Sequence, residues 1–242
     1  MKDTHIHTHY SKDASRDATF EAYIKKALAL GFTSLTFTDH HDIDPAHPLF
    51  REPIDFDAYI KDFNQVKKTS PIPIHLGVEV GYQRHVKEEI QSFIKKYPFE
   101  HVILSVHYLE KKDLYTQEFF KGKTKEEAYD IYFKTCLEAI ETIDNFTTFG
   151  HLDYIPRYAP FDDYDYDYHK VVIDDILNAL IKKEKALEIN TSGFITEKRQ
   201  YPKEEVILRY LELGGKKFTY GSDAHDVKDL GRYFKDIKRD LF

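Results

Sequence analysis

The segment Ser34-Leu35-Thr36-Phe37-Thr38-Asp39-His40 reads as a buried β-strand that runs straight into ionisable side chains. Thr and Phe favour a pleated, half-buried surface, and Asp39, His40 and His41 stand at its end. Upstream, Phe20, Tyr23, Ile24, Ala27 and Leu28 recur at helical spacing between Thr19 and Leu30, and Gly31 stands where a C-terminal cap is expected. Before that helix a short extended piece, Asp3 to His7, delivers His5 and His7. Strand, helix and strand in this order form a βαβ unit, which requires parallel pairing.

The unit repeats along the chain. A helix from about Phe56 to Lys68 precedes a strand from Ile72 to Val80, and one from about Val86 to Lys96 precedes His101 to Val106. The capping-box pattern Thr124-Lys125-Glu126-Glu127 opens a helix reaching about Ile143, ahead of a strand from Phe146 to Gly150. A helix from Val171 to Lys183 leads to the strand Ala186 to Asn190. Another from Pro202 to Leu213, with Pro in its first turn and Gly214-Gly215 at its end, leads to Lys217 to Tyr220. Seven strands alternating with helices predict one α/β domain over residues 1–242, an incomplete barrel of seven units. Asp229 to Phe242 is expected to pack a short helix against the first strand.

Composition narrows the function. Apolar residues at 41% and charged ones at 32% suit a soluble domain with a full core. A formal charge of −7 argues against a general polyanion binder, so no nucleic-acid partner is expected. The single cysteine, Cys136, excludes an intrachain disulfide framework and a thiolate-rich zinc site, and its helical surroundings predict a buried small residue. The N-terminus has no apolar signal region, and no run approaches the roughly 20 apolar residues that span a bilayer. The expected location is therefore cytoplasmic, with no membrane partner.

Parallel strands in a closed barrel point the same way, so their C-terminal ends share one face. Six of the seven strands run into His, Asp or Glu: His5 and His7, His40, Glu79, His107, His151, then Asp223 and His225. His5 and His7 fall on one side of an extended chain because side chains alternate with period 2. Glu79 adds a carboxylate, which can bridge two ions where an imidazole cannot. Buried ionisable groups are rare unless paired or metal-bound, so the pattern predicts a multinuclear metal site and hydrolytic chemistry. The loops Tyr108 to Lys123 and Tyr154 to Tyr168 are long and should flank that face. The second contains the run Asp162 to Tyr168, expected as a solvated rim loop; the alternative is a lid that meets a cationic part of the substrate.

Taken in order, Asp3-Thr4-His5-Ile6-His7-Thr8, Phe37-Thr38-Asp39-His40, Gly77-Val78-Glu79, Ser105-Val106-His107, Gly150-His151 and Gly221-Ser222-Asp223-Ala224-His225 resemble the PHP (polymerase and histidinol phosphatase) family. The resemblance implies a distorted (β/α)7 barrel and three divalent metal ions, Zn, Fe or Mn. Carried over by position, it gives the first ion His5, His7, Glu79 and Asp223, and the second Glu79, His107 and His151. The third takes His40, His225 and Asp13, at a loop position where many relatives carry histidine.

Further segments resemble the histidinol-phosphate branch of that family: Asp39 to Asp42, Gly77 to Gly81, Ser105 to Tyr108, His151 to Tyr158, and Glu188 to Gly193. They imply hydrolysis of a small phosphate monoester, L-histidinol phosphate, in histidine biosynthesis. In that reading metal-activated hydroxide attacks phosphorus, and Asp223 and His225 serve catalysis as well as metal binding. Arg157 and the third ion hold the phosphoryl oxygens, Ser192 donates a hydrogen bond to phosphate, and His41 contacts phosphate or protonates the leaving alkoxide, or else stands behind the ligand His40 without touching substrate. The alternatives are a PHP phosphoesterase acting on another small phosphate or a nucleotide, and a non-catalytic PHP module with a structural or regulatory role. His9, His47, His75, His85, His101 and His169 are expected to be solvated or hydrogen-bonded and to stay outside the site.

Overall fold

The computed structural model describes residues 1–45 and 52–237. In chain order its elements are β1 (Lys2–Asp3), α1 (Phe20–Leu30), β2 (Ser34–Phe37), β3 (His40–Asp42), α2 (Phe56–Lys67), β4 (Ile74–Gly81), α3 (Lys87–Lys96) and β5 (His101–Ser105). They continue with β6 (Tyr108–Leu109), β7 (Lys112–Asp113), α4 (Lys125–Thr142), β8 (Thr148–Phe149), α5 (Tyr166–Lys182), β9 (Ala186–Asn190), α6 (Glu204–Glu212) and β10 (Phe218–Gly221).

The staves pair in parallel in the order β1-β2-β4-β5-β8-β9-β10, while β3 pairs with β4 beyond the end of β2. Thr4 N donates to Tyr220 O at 2.9 Å, and Ile6 bridges Ala224 in parallel, so the last stave meets the first. The fold is the expected distorted (β/α)7 barrel. Residues 4–7 remain extended but form no regular ladder, because Ile6 N donates to the Thr38 hydroxyl at 3.1 Å while His7 N turns to Ala224 O.

Local signals explain the helices. Thr19 Oγ1 caps α1 by accepting from Ala22 N, and Gly31 ends it at φ 75°, a left-handed conformation that glycine enters without steric cost. Thr124 and Glu127 form both halves of a capping box on α4. The inward face of α4, including Tyr129, Tyr132, Phe133, Cys136 and Ile140, is fully buried, and each large apolar side chain so placed contributes about 1.5–3 kcal/mol. Among the described residues no helix is long and apolar enough to cross a membrane.

Three expectations need correction. The run Asp162 to Tyr168 is the expected solvated loop only in part: Asp162, Asp165, Asp167 and Tyr168 are exposed, but Tyr164 is buried with its hydroxyl on Asp153, Asp163 pairs with Arg199, and Asp165 caps α5, which starts at Tyr166 rather than Val171. The alternation of acid and aromatic residues had concealed one buried ring, Tyr164, and partnered carboxylates at Asp163 and Asp165. Pro202 precedes α6 instead of forming its first turn, because Lys203 is the N-cap residue. The chain after β10 packs as turns among its described residues, with Leu230, Phe234 and Ile237 buried and Gly231 N donating to Asp3 Oδ2 at 3.1 Å; residues 238–242 lie outside the described residues.

Candidate metal centre and active site

Glu79, near the end of β4, is 1% exposed and sits at the middle of the site. Its Oε2 lies 3.2 Å from His5 Nε2, 3.4 Å from His7 Nε2 and 3.0 Å from His40 Nδ1. Its Oε1 lies 2.8 Å from His151 Nε2 and 3.3 Å from His107 Nε2, and accepts from the Ser105 hydroxyl at 2.7 Å. Asp223 Oδ1 approaches His7 Nε2 at 3.2 Å and His5 Nε2 at 3.6 Å. Asp13 Oδ2 lies 3.2 Å from His225 Nε2 and 3.5 Å from His40 Nε2. All nine residues assigned to metal by sequence thus converge on one face.

Each is delivered by its neighbourhood. Asp39, at the end of β2, accepts from Thr8 N, Ser11 N and both hydroxyls, which fixes the loop carrying Asp13. The Tyr23 hydroxyl of α1 lies 3.0 Å from the carbonyls of both His7 and Ala224, tying the two ends of the donor set together. Asp223 adopts φ 53°, unusual for a residue with a Cβ, and Arg232 Nη2 donates to its carbonyl at 3.1 Å. Gly221 lies so close to Glu188 and to His5 Cβ that any Cβ there would overlap them.

The donor set fits divalent cations. Glu79 Oε2 is buried and accepts no hydrogen bond among the described residues, although three imidazole nitrogens face it. His5 Nε2 and His7 Nε2 are 3.0 Å apart, a spacing suited to two lone pairs aimed at one cation. Among the described residues four groups of donors lie within mutual ligating reach: His5, His7 and Glu79; His7, His40 and His225; Glu79, His107 and His151; His40, Asp42 and His107.

Charge supports the same fit. Burial pushes the Glu79 carboxyl up, yet His5, His107 and His40 outweigh it and hold it well below the usual carboxylate range. Burial, followed by His225 and His40, drives His7 well below the ordinary imidazole value, so it stands as a neutral lone-pair donor. Asp13 is likewise held down, His40 and His225 overcoming the effect of burial.

The cavity over this cluster has a volume of about 270 Å³, and Tyr154, Arg157, Tyr158, Ile195, Asp229 and Arg232 complete its wall. Arg157 Nη1 donates to Ser192 Oγ at 3.2 Å, and Ser192 Oγ donates to Asp223 Oδ2 at 3.1 Å. Ser192 therefore links Arg157 to a metal donor, and its proton is already engaged.

His41 is placed elsewhere. Its ring stacks on Phe93 at 3.5 Å between centroids and meets the edge of Phe56 at 5.2 Å, and burial lowers it to about 4. The expected contact with phosphate or the leaving group is corrected for a simple reason. His40, His41 and Asp42 form a strand, so alternation sends 40 and 42 to one side and 41 to the other.

Sequence reasoning placed Asp42 and Glu188 within family-like segments but gave neither a role: Asp42 Oδ1 lies 3.2 Å from His107 Nδ1, and Glu188 Oε1 lies 2.7 Å from His5 Nδ1. Glu188 carried a usable signal, being the charged residue of a strand that is otherwise Ala, Leu, Ile and Asn. The remaining histidines stay apart as expected: His75 faces Glu100, His85 faces Asp44, His101 faces Thr147, His9 packs on Tyr10 and His169 on Phe133. His47 lies outside the described residues.

Relatives share this arrangement of chain. The sequence is 35% identical over 231 residues to the histidinol-phosphatase of Lactococcus lactis, covering 93% of this chain and 84% of that one. It is 33% identical to the "probable histidinol-phosphatase" of Clostridium acetobutylicum, covering 96% and 89%. The crystal structure of histidinol phosphate phosphatase from Lactococcus lactis, complexed with Zn, L-histidinol and phosphate, matches with a TM-score of 0.85 at 33% identity over 97% of this chain and 92% of that one. A model of the PHP domain matches residues 3–192, and the chain belongs to that family.

Proposed function

We propose that the chain is a metal-dependent phosphoric monoester hydrolase that converts L-histidinol phosphate and water to L-histidinol and inorganic phosphate in the cytoplasm, as a step of histidine biosynthesis. The observation that carries this reading is Glu79, one buried carboxylate with three imidazoles around Oε2 and two around Oε1. Imidazole and carboxylate donors in this mixture suit Zn, Fe or Mn. Three ions would be held by His5, His7, Glu79 and Asp223, by Glu79, His107 and His151, and by Asp13, His40 and His225. When bound, such ions lower the pKa of water to about 7 and offset charge on phosphoryl oxygens.

The chain's own groups supply orientation. Arg157 stays charged at all relevant pH and offers a planar fork that matches two phosphoryl oxygens. Its guanidinium lies over the Tyr154 ring at 5.5 Å and is fixed by Ser192, so little freedom is lost when phosphate arrives. Tyr154 in turn lies 4.5 Å from the His151 ring, closing one side of the cavity over the donors. The relative from Lactococcus lactis, crystallised with Zn, L-histidinol and phosphate, supports the same substrate here.

Purified chain loaded with Zn, Fe or Mn should be assayed against L-histidinol phosphate and a panel of sugar, nucleotide and aryl phosphates. The expected result is a kcat/KM for L-histidinol phosphate at least about 10-fold above every other ester, abolished by a chelator and restored by metal. Equal or better hydrolysis of another ester overturns the substrate; a chain inert with every metal overturns the activity.

A further inference from the structure

Among the described residues four carboxylates line the cavity: Asp13, Glu79, Asp223 and Asp229. The first three face the imidazole donors. Asp229 stands apart, at the end of the short 3-10 turn Val227–Asp229 beyond β10, with its side chain 29% exposed. Its Oδ2 lies 3.4 Å from Arg232 Nη1. Arg232 does not depend on that contact, because its Nε and Nη2 donate to the carbonyls of Ser222 and Asp223 at 3.3 and 3.1 Å. A carboxylate can accept about four hydrogen bonds, and among the described residues Asp229 receives only the Arg232 approach through Oδ2. Oδ1 is left for a ligand.

The substrate supplies a matching group. L-Histidinol phosphate carries an ammonium on the carbon next to the phosphorylated CH2, so phosphate seated at the donor cluster and Arg157 brings a cation to the cavity wall. Asp13, Glu79 and Asp223 are committed to the donor cluster, and Arg157 repels an ammonium. We infer that Asp229 receives the ammonium of the substrate, a role that rests on the proposed reaction, while Tyr154, Tyr158 and Ile195 border the same cavity with surface suited to the heterocycle. The site thereby selects amino-alcohol phosphates over phosphate esters that lack a cation.

The test compares L-histidinol phosphate with the same ester lacking the amine, in wild type, Asp229→Asn and Asp229→Glu. The Asn variant should lower the ratio of the two kcat/KM values about 10- to 100-fold, as expected for a lost charge-assisted hydrogen bond, and Glu should keep most of it. Binding of L-histidinol alone, measured by calorimetry on the metal-loaded protein, should weaken in the same order. A ratio and a histidinol affinity that stay within about twofold of wild type in Asp229→Asn overturn the subsite and leave the proposed reaction standing. Wild type that fails to hydrolyse L-histidinol phosphate overturns the reaction, and the subsite with it.

Discussion

The Glu188 carboxylate accepts His5 Nδ1 at 2.7 Å, on the far side of the ring from the donor cluster. That contact fixes the tautomer, so Nε2 presents a lone pair toward Glu79 and Asp223. Glu188 Oε2 also accepts the backbone N of His151 at 2.8 Å, so one side chain orients donors from two strands. Replacing Glu188 by Gln retains the shape but removes the charge. The expected cost is about 10- to 100-fold in metal affinity, measured by competition with a chelating dye, with a parallel loss of kcat/KM. Unchanged metal affinity would count against the orienting role.

Glu79→Gln tests the centre itself. Gln keeps the volume but cannot serve as an anionic bridge, and its NH2 would face imidazole nitrogens that now face a carboxylate oxygen. Elemental analysis should find bound metal sharply reduced, and hydrolysis should fall about 10³-fold or more. A variant with full metal content and near wild-type activity would show that the bridge is dispensable.

Much of this architecture was legible because barrel geometry converts strand ends into a place. Seven extended segments separated by helical stretches were enough to gather His5, His40, Glu79, His107, His151 and Asp223 on one face. The failures came from the scale below that. His41 was read as a neighbour of His40, whereas the extra strand β3 turned its ring toward Phe93. That strand exists because the chain continues along β4 past the end of β2, a tertiary pairing with no local signature. Tyr164 and Asp163 likewise depended on partners outside the run, Asp153 and Arg199, which composition cannot supply.

Arg157→Lys separates geometry from charge. The guanidinium of Arg157 is aimed by Ser192 Oγ, and an ammonium retains the charge but loses the planar fork. We expect kcat/KM for L-histidinol phosphate to fall about 10²-fold with metal content unchanged. Ser192→Ala should fall less, since it frees Arg157 without removing it. If Lys restores wild-type kinetics, Arg157 contributes only its charge.

His101, at the start of β5, gives the fold its own pH dependence away from the donor cluster. Burial holds its imidazole down to about 4, and the surroundings of its two ring nitrogens show why a second proton is unwelcome. Nδ1 lies 3.0 Å from the Thr147 hydroxyl, which already donates to Val102 O and accepts from Val102 N, so Nδ1–H is the donor. Nε2 is buried with no hydrogen-bond partner among the described residues, so a second proton there would have no acceptor. In the unfolded chain the same group titrates near 6.5. As pH falls below 6.5 the unfolded state takes up the proton first, and stability present above 6.5 is lost down to pH 4. The loss expected from this group is about 1–3 kcal/mol. Urea midpoints at pH 7 and pH 4.5 should therefore differ less in His101→Gln than in wild type, whatever the variant's absolute stability. Parallel losses in the two proteins would assign the acid sensitivity to other groups.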